Sequence, residues 1–289
     1  MTVDLMEHWS ETFRGAVPPW ECDITEHFTI AYYFDRLGDA ERTMAEMLGL
    51  REFLRAGRFP RRFDLRFTRE LRAGSSFHIE SAPLAVDAGS VRIGHRFVDS
   101  ANGETVTWIA ERWELPPGTL PAERQSAIGA RFGAWEGPEF EDRPQPSDTS
   151  GFVAAARGRV RPGDLSADDR LGIAAIVHRF TDATVQTGAA IGMDSEFLEK
   201  NRRGLSTFEL ALSLTGVLAL DEPYLIETGI AHFGNTSLRL IHRMTDPRSG
   251  TEVARLGQYA VNLDLDARRP ARWPDDIRAR AEARVIAMG

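Results

Sequence analysis

The sequence has a single cysteine, Cys22, among its 289 residues. One cysteine cannot form an internal disulfide, nor can it supply the several thiolates that cysteine-rich zinc sites use. A disulfide-stapled scaffold and a cysteine-rich zinc module are therefore both excluded. We expect the chain to fold in a reducing compartment.

Lysine is equally scarce, since Lys200 is the one lysine among the 35 basic residues. It lies in a polar stretch, Glu199 to Arg203, that is typical of a solvent-exposed loop. Chemistry through a phosphate-loop lysine or a Schiff base is not expected, and the glycine-rich fingerprints of nucleotide-binding folds are missing too. The formal net charge of -8 argues against a nucleic-acid-binding surface, which normally carries a basic field.

Long apolar runs are also missing. The segment from Met1 to Arg14 has no apolar stretch fit for a signal peptide, and no segment approaches the about 18 apolar residues of a membrane span. We predict a soluble, cytoplasmic protein without a membrane span.

The sequence does contain an internal repeat. Three stretches of the first half align with three of the second half. At an offset of 143 residues, Val17 to Pro19 aligns with Val160 to Pro162, and Phe34 to Ala40 aligns with Val177 to Ala183. At an offset of 147 residues, Ser90 to Arg96 aligns with Ser237 to Arg243. A shared strand pattern would explain the matched apolar positions but not the matched serine, arginine and histidine. We predict a first repeat in residues 1–132, a linker in 133–155 and a second repeat in 156–289.

Each repeat has the same predicted order of elements. A first strand ends at a proline, and a long helix then runs to a glycine, at Gly49 in one repeat and Gly192 in the other. Four strands follow the helix, and a short helix begins at Pro121 or Pro274. The predicted strands are 62–71, 76–86, 90–99 and 104–114, then 206–216, 223–232, 237–246 and 251–263. This order indicates an α+β fold in which an antiparallel sheet wraps a central helix.

The stretch from Pro19 to Asp23, followed by His27 and by Tyr32-Tyr33 in the helix, resembles the motif of hotdog-fold acyl-CoA thioesterases of the 4-hydroxybenzoyl-CoA thioesterase type. The resemblance implies a tandem, or double, hotdog fold. It also implies hydrolysis of an acyl-CoA or acyl-carrier-protein thioester without a metal or other cofactor, coenzyme A entering as part of the substrate. No nucleic-acid partner is expected, and a homo-oligomer of double-hotdog chains is left open.

By this resemblance Asp23 is the catalytic aspartate, acting as a nucleophile or as a general base toward water. His27 aligns with a histidine that orients substrate or carries a proton. Glu26 stands where the motif has glycine. This second carboxylate is a candidate for the acid/base work, and the alternatives are that it repels an anionic substrate or faces solvent. Thr29 stands where the motif has asparagine. Thr29 and Tyr33 are the substrate contacts predicted in the first repeat.

The second repeat lacks these groups, because Ser166 and Arg170 stand in place of Asp23 and His27. We predict that it has lost catalysis and serves as a structural and binding partner. In hotdog dimers the partner subunit completes the pocket, so the resemblance implies that second-repeat residues bind substrate beside Asp23. The candidates are Asn235, Thr236 and Ser237.

Some of these residues have plainer interpretations. Asp23 is also a residue that caps helices well, and Cys22 suits a small buried site. His95 and His242 occupy equivalent strand positions that are typical of hydrogen-bonded core histidines. Five arginines form a basic run: Arg61, Arg62, Arg66, Arg69 and Arg72. This run could bind coenzyme A phosphates, but a charged edge strand is the commoner explanation.

Two other functions are left open. Hotdog enoyl-CoA hydratases and dehydratases carry the motif Asp-x-Asn-Pro-x-His, whereas the stretch from Asp23 to His27 lacks Asn-Pro and is one residue shorter. A non-catalytic acyl-thioester-binding protein is the alternative if both repeats are degenerate, as Glu26 and Ser166 suggest.

Overall fold

The computed structural model describes residues 8–23, 25–56, 59–146 and 148–288. The first seven residues, part of the N-terminal segment Met1 to Arg14 predicted to contain no signal peptide, lie outside this range. The chain divides into two compact units, Met1–Glu139 with Ser213–Gly216, and Phe140–Leu212 with Val217–Gly289.

The first unit follows the predicted order of elements, except for one short helix, Arg51–Ala56, that was not predicted. Its helices and strands are β1 (Ser10–Ala16), α1 (Ile30–Met47), α2 (Arg51–Ala56), β2 (Arg61–Phe67), β3 (Ser76–Val86), β4 (Ser90–Asp99), β5 (Thr105–Glu114) and α3 (Ala122–Gly129). The strands lie in the order β1-β3-β4-β5-β2, and their neighbouring pairs are antiparallel.

Helix α1 lies against β1 and β3 and buries one apolar face. Its apolar residues recur every three or four positions, which places Phe34, Leu37 and Met44 on the side that faces the sheet. Gly49 follows the helix with a φ of 68°, a left-handed conformation that glycine adopts without a Cβ penalty.

The second unit repeats this layout. Its elements are β6 (Val153–Arg159), α4 (Ile173–Ala190), α5 (Ser195–Asn201), β7 (Arg203–Leu214), β8 (Pro223–Phe233), β9 (Ser237–Thr245), β10 (Glu252–Asp264), β11 (Arg269–Pro270) and α6 (Asp275–Glu282). The strands follow the order β7-β10-β9-β8-β6, β11 pairs with β10, and α4 lies against β6, β8 and β9. Both long helices therefore begin and end at positions 143 residues apart.

Strand β2 is shorter than predicted, and the arginine at its start is buried. It ends at Phe67 instead of continuing to residue 71. The guanidinium of Arg61 at its start is largely buried between Glu41 and Glu111. Arg61 therefore belongs to a buried ion-pair cluster, and neither a coenzyme A phosphate contact nor a charged strand edge describes it.

The segment predicted as a linker packs on the sheets. Gly133 N donates to Pro83 O (3.0 Å), and the Trp135 ring lies 5.1 Å from the Trp108 ring, centroid to centroid. In the second unit, Arg239 donates to the carbonyl of Pro144 (2.8 Å). Strand β6 begins at Val153, within the last residues of the predicted linker.

In the described part of the chain, no helix has both the length and the apolar character needed to cross a bilayer.

Candidate active site

A short loop connects β1 to α1 and carries the residues of the motif. Pro19–Glu21 forms one 3-10 turn, after which Cys22 and Phe28 pair as an isolated antiparallel bridge. Within the bridge, Asp23 N donates to His27 O and Glu26 N donates to Asp23 O, both at 2.9 Å. The backbone thus folds into a tight turn that brings Asp23 and His27 together.

The loop is anchored at both ends. Arg36 on α1 donates to both carboxylate oxygens of Glu21, at 2.7 and 2.6 Å, and both side chains are largely buried. A single nitrogen, Nη2, makes both contacts, and this charge-assisted pair holds the loop against α1. At the far end, Phe28 N donates to Leu71 O (2.8 Å). The turn therefore has a defined position on the first unit.

Asp23 is exposed, and one of its carboxylate oxygens is held in place. Oδ1 accepts from Thr25 N (2.8 Å), from the Thr25 hydroxyl (2.5 Å) and from His27 N (3.3 Å). Helix α1 begins seven residues later, with Thr29 as its N-cap. The interpretation of Asp23 as a cap of that helix is therefore wrong.

His27 links this turn to a second carboxylate. Its Nδ1 lies 3.0 Å from the Thr25 hydroxyl, and its Nε2 lies 2.8 Å from Oε2 of Glu70. The His27 side chain is 12% exposed, whereas Glu70 is 37% exposed and also lies 3.5 Å from Arg72 Nη2. The arrangement joins Asp23, Thr25, His27 and Glu70 into one hydrogen-bonded group.

Two members of this group, Thr25 and Glu70, were not predicted from the sequence. Thr25 could have been found by its spacing, because it lies midway between Asp23 and His27. Glu70 is distant in sequence and lies in an ordinary charged stretch, so no local signal distinguishes it.

The other predicted catalytic residue, Glu26, occupies a different environment. Its side chain is exposed, and its backbone φ is 65°. Among the described residues, no hydrogen bond or ion pair involves its carboxylate. The left-handed backbone explains why the motif has glycine at this position. A catalytic role for Glu26 stays a prediction without a contact to support it.

The predicted substrate contacts fall in different surroundings. Thr29 is half-buried at the N-cap of α1 and makes no side-chain cap hydrogen bond. Tyr33 is 3% exposed and packs between aromatic rings, 4.7 Å from Phe28 and 5.1 Å from Phe97, centroid to centroid. Burial raises the pKa of Tyr33 well above its ordinary value. Its position is that of a core residue.

Asn235, Thr236 and Ser237 belong to the second unit. Asn235 and Thr236 lie in the tight turn between β8 and β9, Ser237 is the first residue of β9, and Gly234 N donates to Ser237 O (2.8 Å). The Asn235 side chain accepts from Arg278 (3.2 Å). Their contact with substrate stays a prediction.

The corresponding loop of the second repeat has the same backbone. Leu165 and Leu171 form the isolated bridge, and Ser166 N donates to Arg170 O (2.7 Å). Asp169, at the position of Glu26, also has a positive φ, 59°. Even the anchor recurs, since Arg179 on α4 pairs with Asp164 (2.6 Å).

The side chains of the two loops differ at every position of the hydrogen-bonded group. Offsets of 143 and 147 residues put Ser166, Asp168, Arg170 and Val217 in place of Asp23, Thr25, His27 and Glu70. The fold of the loop is therefore independent of these four side chains. Their arrangement in the first repeat needs an explanation other than loop stability.

The surroundings of Cys22 disfavour a role for its thiol in the chemistry. Burial raises the pKa of the Cys22 thiol, with nearby acidic groups adding to the effect, so the reactive thiolate is disfavoured. No cluster of three or more histidine, cysteine or acidic side chains suited to a metal ion occurs among the described residues.

Comparisons with known proteins agree with the fold. Residues 160–281 match the family model of the thioesterase-like superfamily. No curated protein matches the chain.

Three solved structures resemble the chain over most of its length. A putative oleoyl thioesterase from Lactobacillus plantarum is 14% identical with a TM-score of 0.66, covering 89% of this chain and 98% of its own. An acyl-ACP thioesterase from Bacteroides thetaiotaomicron is 10% identical with a TM-score of 0.65 (86% and 96%). The 12:0-ACP thioesterase from Umbellularia californica is 14% identical with a TM-score of 0.62 (86% and 92%).

These likenesses confirm the fold predicted from the sequence, including its duplication. Residues 160–281 thus match the thioesterase-like superfamily, and the chain as a whole has the tandem hotdog fold.

Proposed function

We propose that the chain hydrolyses an acyl thioester of coenzyme A or of an acyl carrier protein, and that Asp23 is its general base. The single observation that carries the proposal is the comparison of the two loops. The same backbone is built in both repeats, yet the group of Asp23, Thr25, His27 and Glu70 is present in the first alone.

The geometry of Asp23 suits proton transfer from water. Oδ1 is occupied by three donors, and no donor to Oδ2 is found among the described residues, so the second oxygen is available at an exposed position. Oδ2 would accept a proton as the water oxygen bonds to the thioester carbonyl carbon. The tetrahedral intermediate then breaks its C–S bond, and the departing thiolate takes the proton back from Asp23.

We propose the acyl group from the names of the similar structures. Similar structures are named for oleoyl and 12:0 thioesters, so fatty acyl thioesters are the first substrates to test. Both coenzyme A and carrier-protein forms belong in the panel, because the proposal covers both.

The test is thiol release from this panel by the wild-type chain and by Asp23→Asn. The amide cannot accept the proton as a carboxylate does, so we expect kcat to fall about 100- to 10,000-fold with the fold intact. Ser166→Ala is the matched control at the equivalent position of the second repeat, and it should retain full activity.

The same assay separates the alternatives. Full thiol release by Asp23→Asn would refute the assignment of the base. Hydration of an enoyl-CoA without thiol release would favour a hydratase, and binding of the thioesters without turnover would favour a binding protein.

A further inference from the structure

Thr25 lies at the centre of the hydrogen-bonded group and is 4% exposed. Its hydroxyl is 2.5 Å from Asp23 Oδ1 and 3.0 Å from His27 Nδ1, and its backbone N–H also donates to Asp23 Oδ1. One buried hydroxyl thus touches both residues that the sequence motif supplies.

The direction of these hydrogen bonds follows from counting protons. A hydroxyl has one hydrogen to donate, and an ionised carboxylate can only accept. The Thr25 hydrogen therefore points to Asp23 while Asp23 is ionised, as a general base must be before reaction. The lone pairs of Thr25 then face His27, so Nδ1 of His27 must carry a hydrogen.

The second ring nitrogen of His27, Nε2, also takes part in a hydrogen bond. Nε2 of His27 lies 2.8 Å from Oε2 of Glu70, a distance that requires a hydrogen between the two atoms. This hydrogen sits on Nε2 when Glu70 is ionised, and on Glu70 when the ring is neutral. In either state Nδ1 is a donor, so His27 does not take a proton through that nitrogen.

We propose that Thr25 is a positioning residue that fixes the Nδ1–H form of His27 and holds Asp23 with Oδ2 turned to the attacking water. The proposal rests on the function proposed above and adds the means by which the base is oriented. Thr25 acts through Asp23 and His27 and makes no contact with the reacting atoms.

A purely structural role for the hydroxyl is opposed by the second repeat. Asp168 stands at the equivalent position, and the loop still forms the same bridge and the same turn. A threonine hydroxyl is therefore not needed for this backbone.

The test compares Thr25→Val, which removes the hydroxyl at nearly constant shape, with Thr25→Ser, which keeps it. We expect Thr25→Val to lower kcat by about 10- to 100-fold, the usual effect of losing a hydrogen bond to a charged group, with a smaller change in KM. Thr25→Ser should stay within about threefold of the wild type.

Nitrogen-15 NMR of the His27 ring gives a readout that does not depend on turnover. The protein has seven histidines, and the His27→Gln variant identifies the signals of His27 by their loss. In the wild type and in Thr25→Ser, Nδ1 should be protonated. In Thr25→Val the His27 ring should no longer favour the form that is protonated at Nδ1, because the hydroxyl that accepts from Nδ1–H is gone.

The outcomes are distinguishable from those of the parent proposal. If Asp23→Asn is inactive while Thr25→Val keeps full activity and the wild-type ring signals, the role of Thr25 is refuted and the base stands. Equal loss in Thr25→Ser and Thr25→Val would also refute it, because the hydroxyl would not be the cause. If Asp23→Asn is fully active, the parent proposal itself fails.

Discussion

Glu26 has a backbone conformation that its side chain disfavours. Its φ of 65° lies in the left-handed region, where a Cβ crowds the following carbonyl and glycine does not. We expect Glu26→Gly to raise the free energy of unfolding by about 1 kcal/mol, measured by chemical denaturation.

A second variant distinguishes the effect of the backbone conformation of Glu26 from the effect of its carboxylate charge. Glu26→Ala removes the carboxylate but keeps the Cβ, so it should not gain the stability of the glycine variant. We expect both variants to keep the wild-type rate of thiol release. A large loss of activity in both would instead establish Glu26 as a catalytic carboxylate, the role predicted from its departure from the motif.

At the scale of elements, the first unit buries a charged cluster between α1 and the sheet. Arg61 Nη2 lies 2.5 Å from Oε1 of both Glu41 and Glu111, and His95 Nε2 lies 3.3 Å from Glu111. Burial raises the pKa of Glu41 to about 8. Burial alone would also raise the pKa of Glu111, but the charge of Arg61 and the hydrogen bond from His95 hold it below its ordinary value.

The second unit has a neutral cluster in the same place. His242, Gln258 and Thr184 occupy the positions of His95, Glu111 and Glu41, at offsets of 147, 147 and 143 residues. Thr184 lies 2.8 Å from Gln258 Oε1, and the amide of Gln258 donates to Thr207 (2.7 Å). Both histidines are buried and hydrogen-bonded, which confirms their prediction as core residues.

The comparison of the charged cluster in the first unit with the neutral cluster in the second predicts the effect of removing Arg61. Arg61→Met leaves Glu41 and Glu111 buried without their cation, so we expect the first unit to lose about 3–5 kcal/mol in urea denaturation. Adding Glu41→Thr and Glu111→Gln, the residues of the second unit, should recover part of this loss. A triple variant less stable than Arg61→Met would contradict the argument.

For the molecule as a whole, the repeat was the most informative feature of the sequence. The offsets predicted both long helices and the equivalence of His95 with His242, because identities at matched spacing reflect shared backbone positions. Helix periodicity and turn residues then predicted most element bounds.

What the sequence did not predict depends on contacts between distant residues. Glu70 joins the candidate site only because the strand that precedes it ends beside the loop of His27. Tyr33 looked like a substrate contact from its place in the motif, whereas the rings around it come from several strands. Trp135 packs on a sheet although its segment has the proline and glycine content of a linker.

The two units should respond to pH in opposite directions. Glu41 retains its proton in the folded state up to about pH 8, while an ordinary glutamate releases it near 4.5, so the first unit loses stability as pH rises between these values. Burial lowers the pKa of His242 from 6.5 to about 4. The unfolded second unit therefore binds a proton that the folded one rejects, and its stability falls as pH drops from 6.5 toward 4.

This difference can be measured unit by unit with fluorotryptophan. Trp273 is the one tryptophan of the second unit in the sequence, and Trp113 is buried in the first, so their fluorine-19 NMR signals report urea unfolding of each unit separately. Between pH 7 and pH 4 the second unit should lose up to about 3 kcal/mol through His242.

His242→Gln supplies the control, because glutamine keeps hydrogen-bonding groups but does not titrate. We expect the variant to be less stable than the wild type at pH 7, since the packing of the ring is lost, and to lack most of the acid-dependent fall at Trp273. An equally steep fall in His242→Gln would show that other groups cause the acid sensitivity of the second unit. A wild-type Trp273 midpoint that does not move between pH 7 and pH 4 would contradict the buried, neutral state of His242.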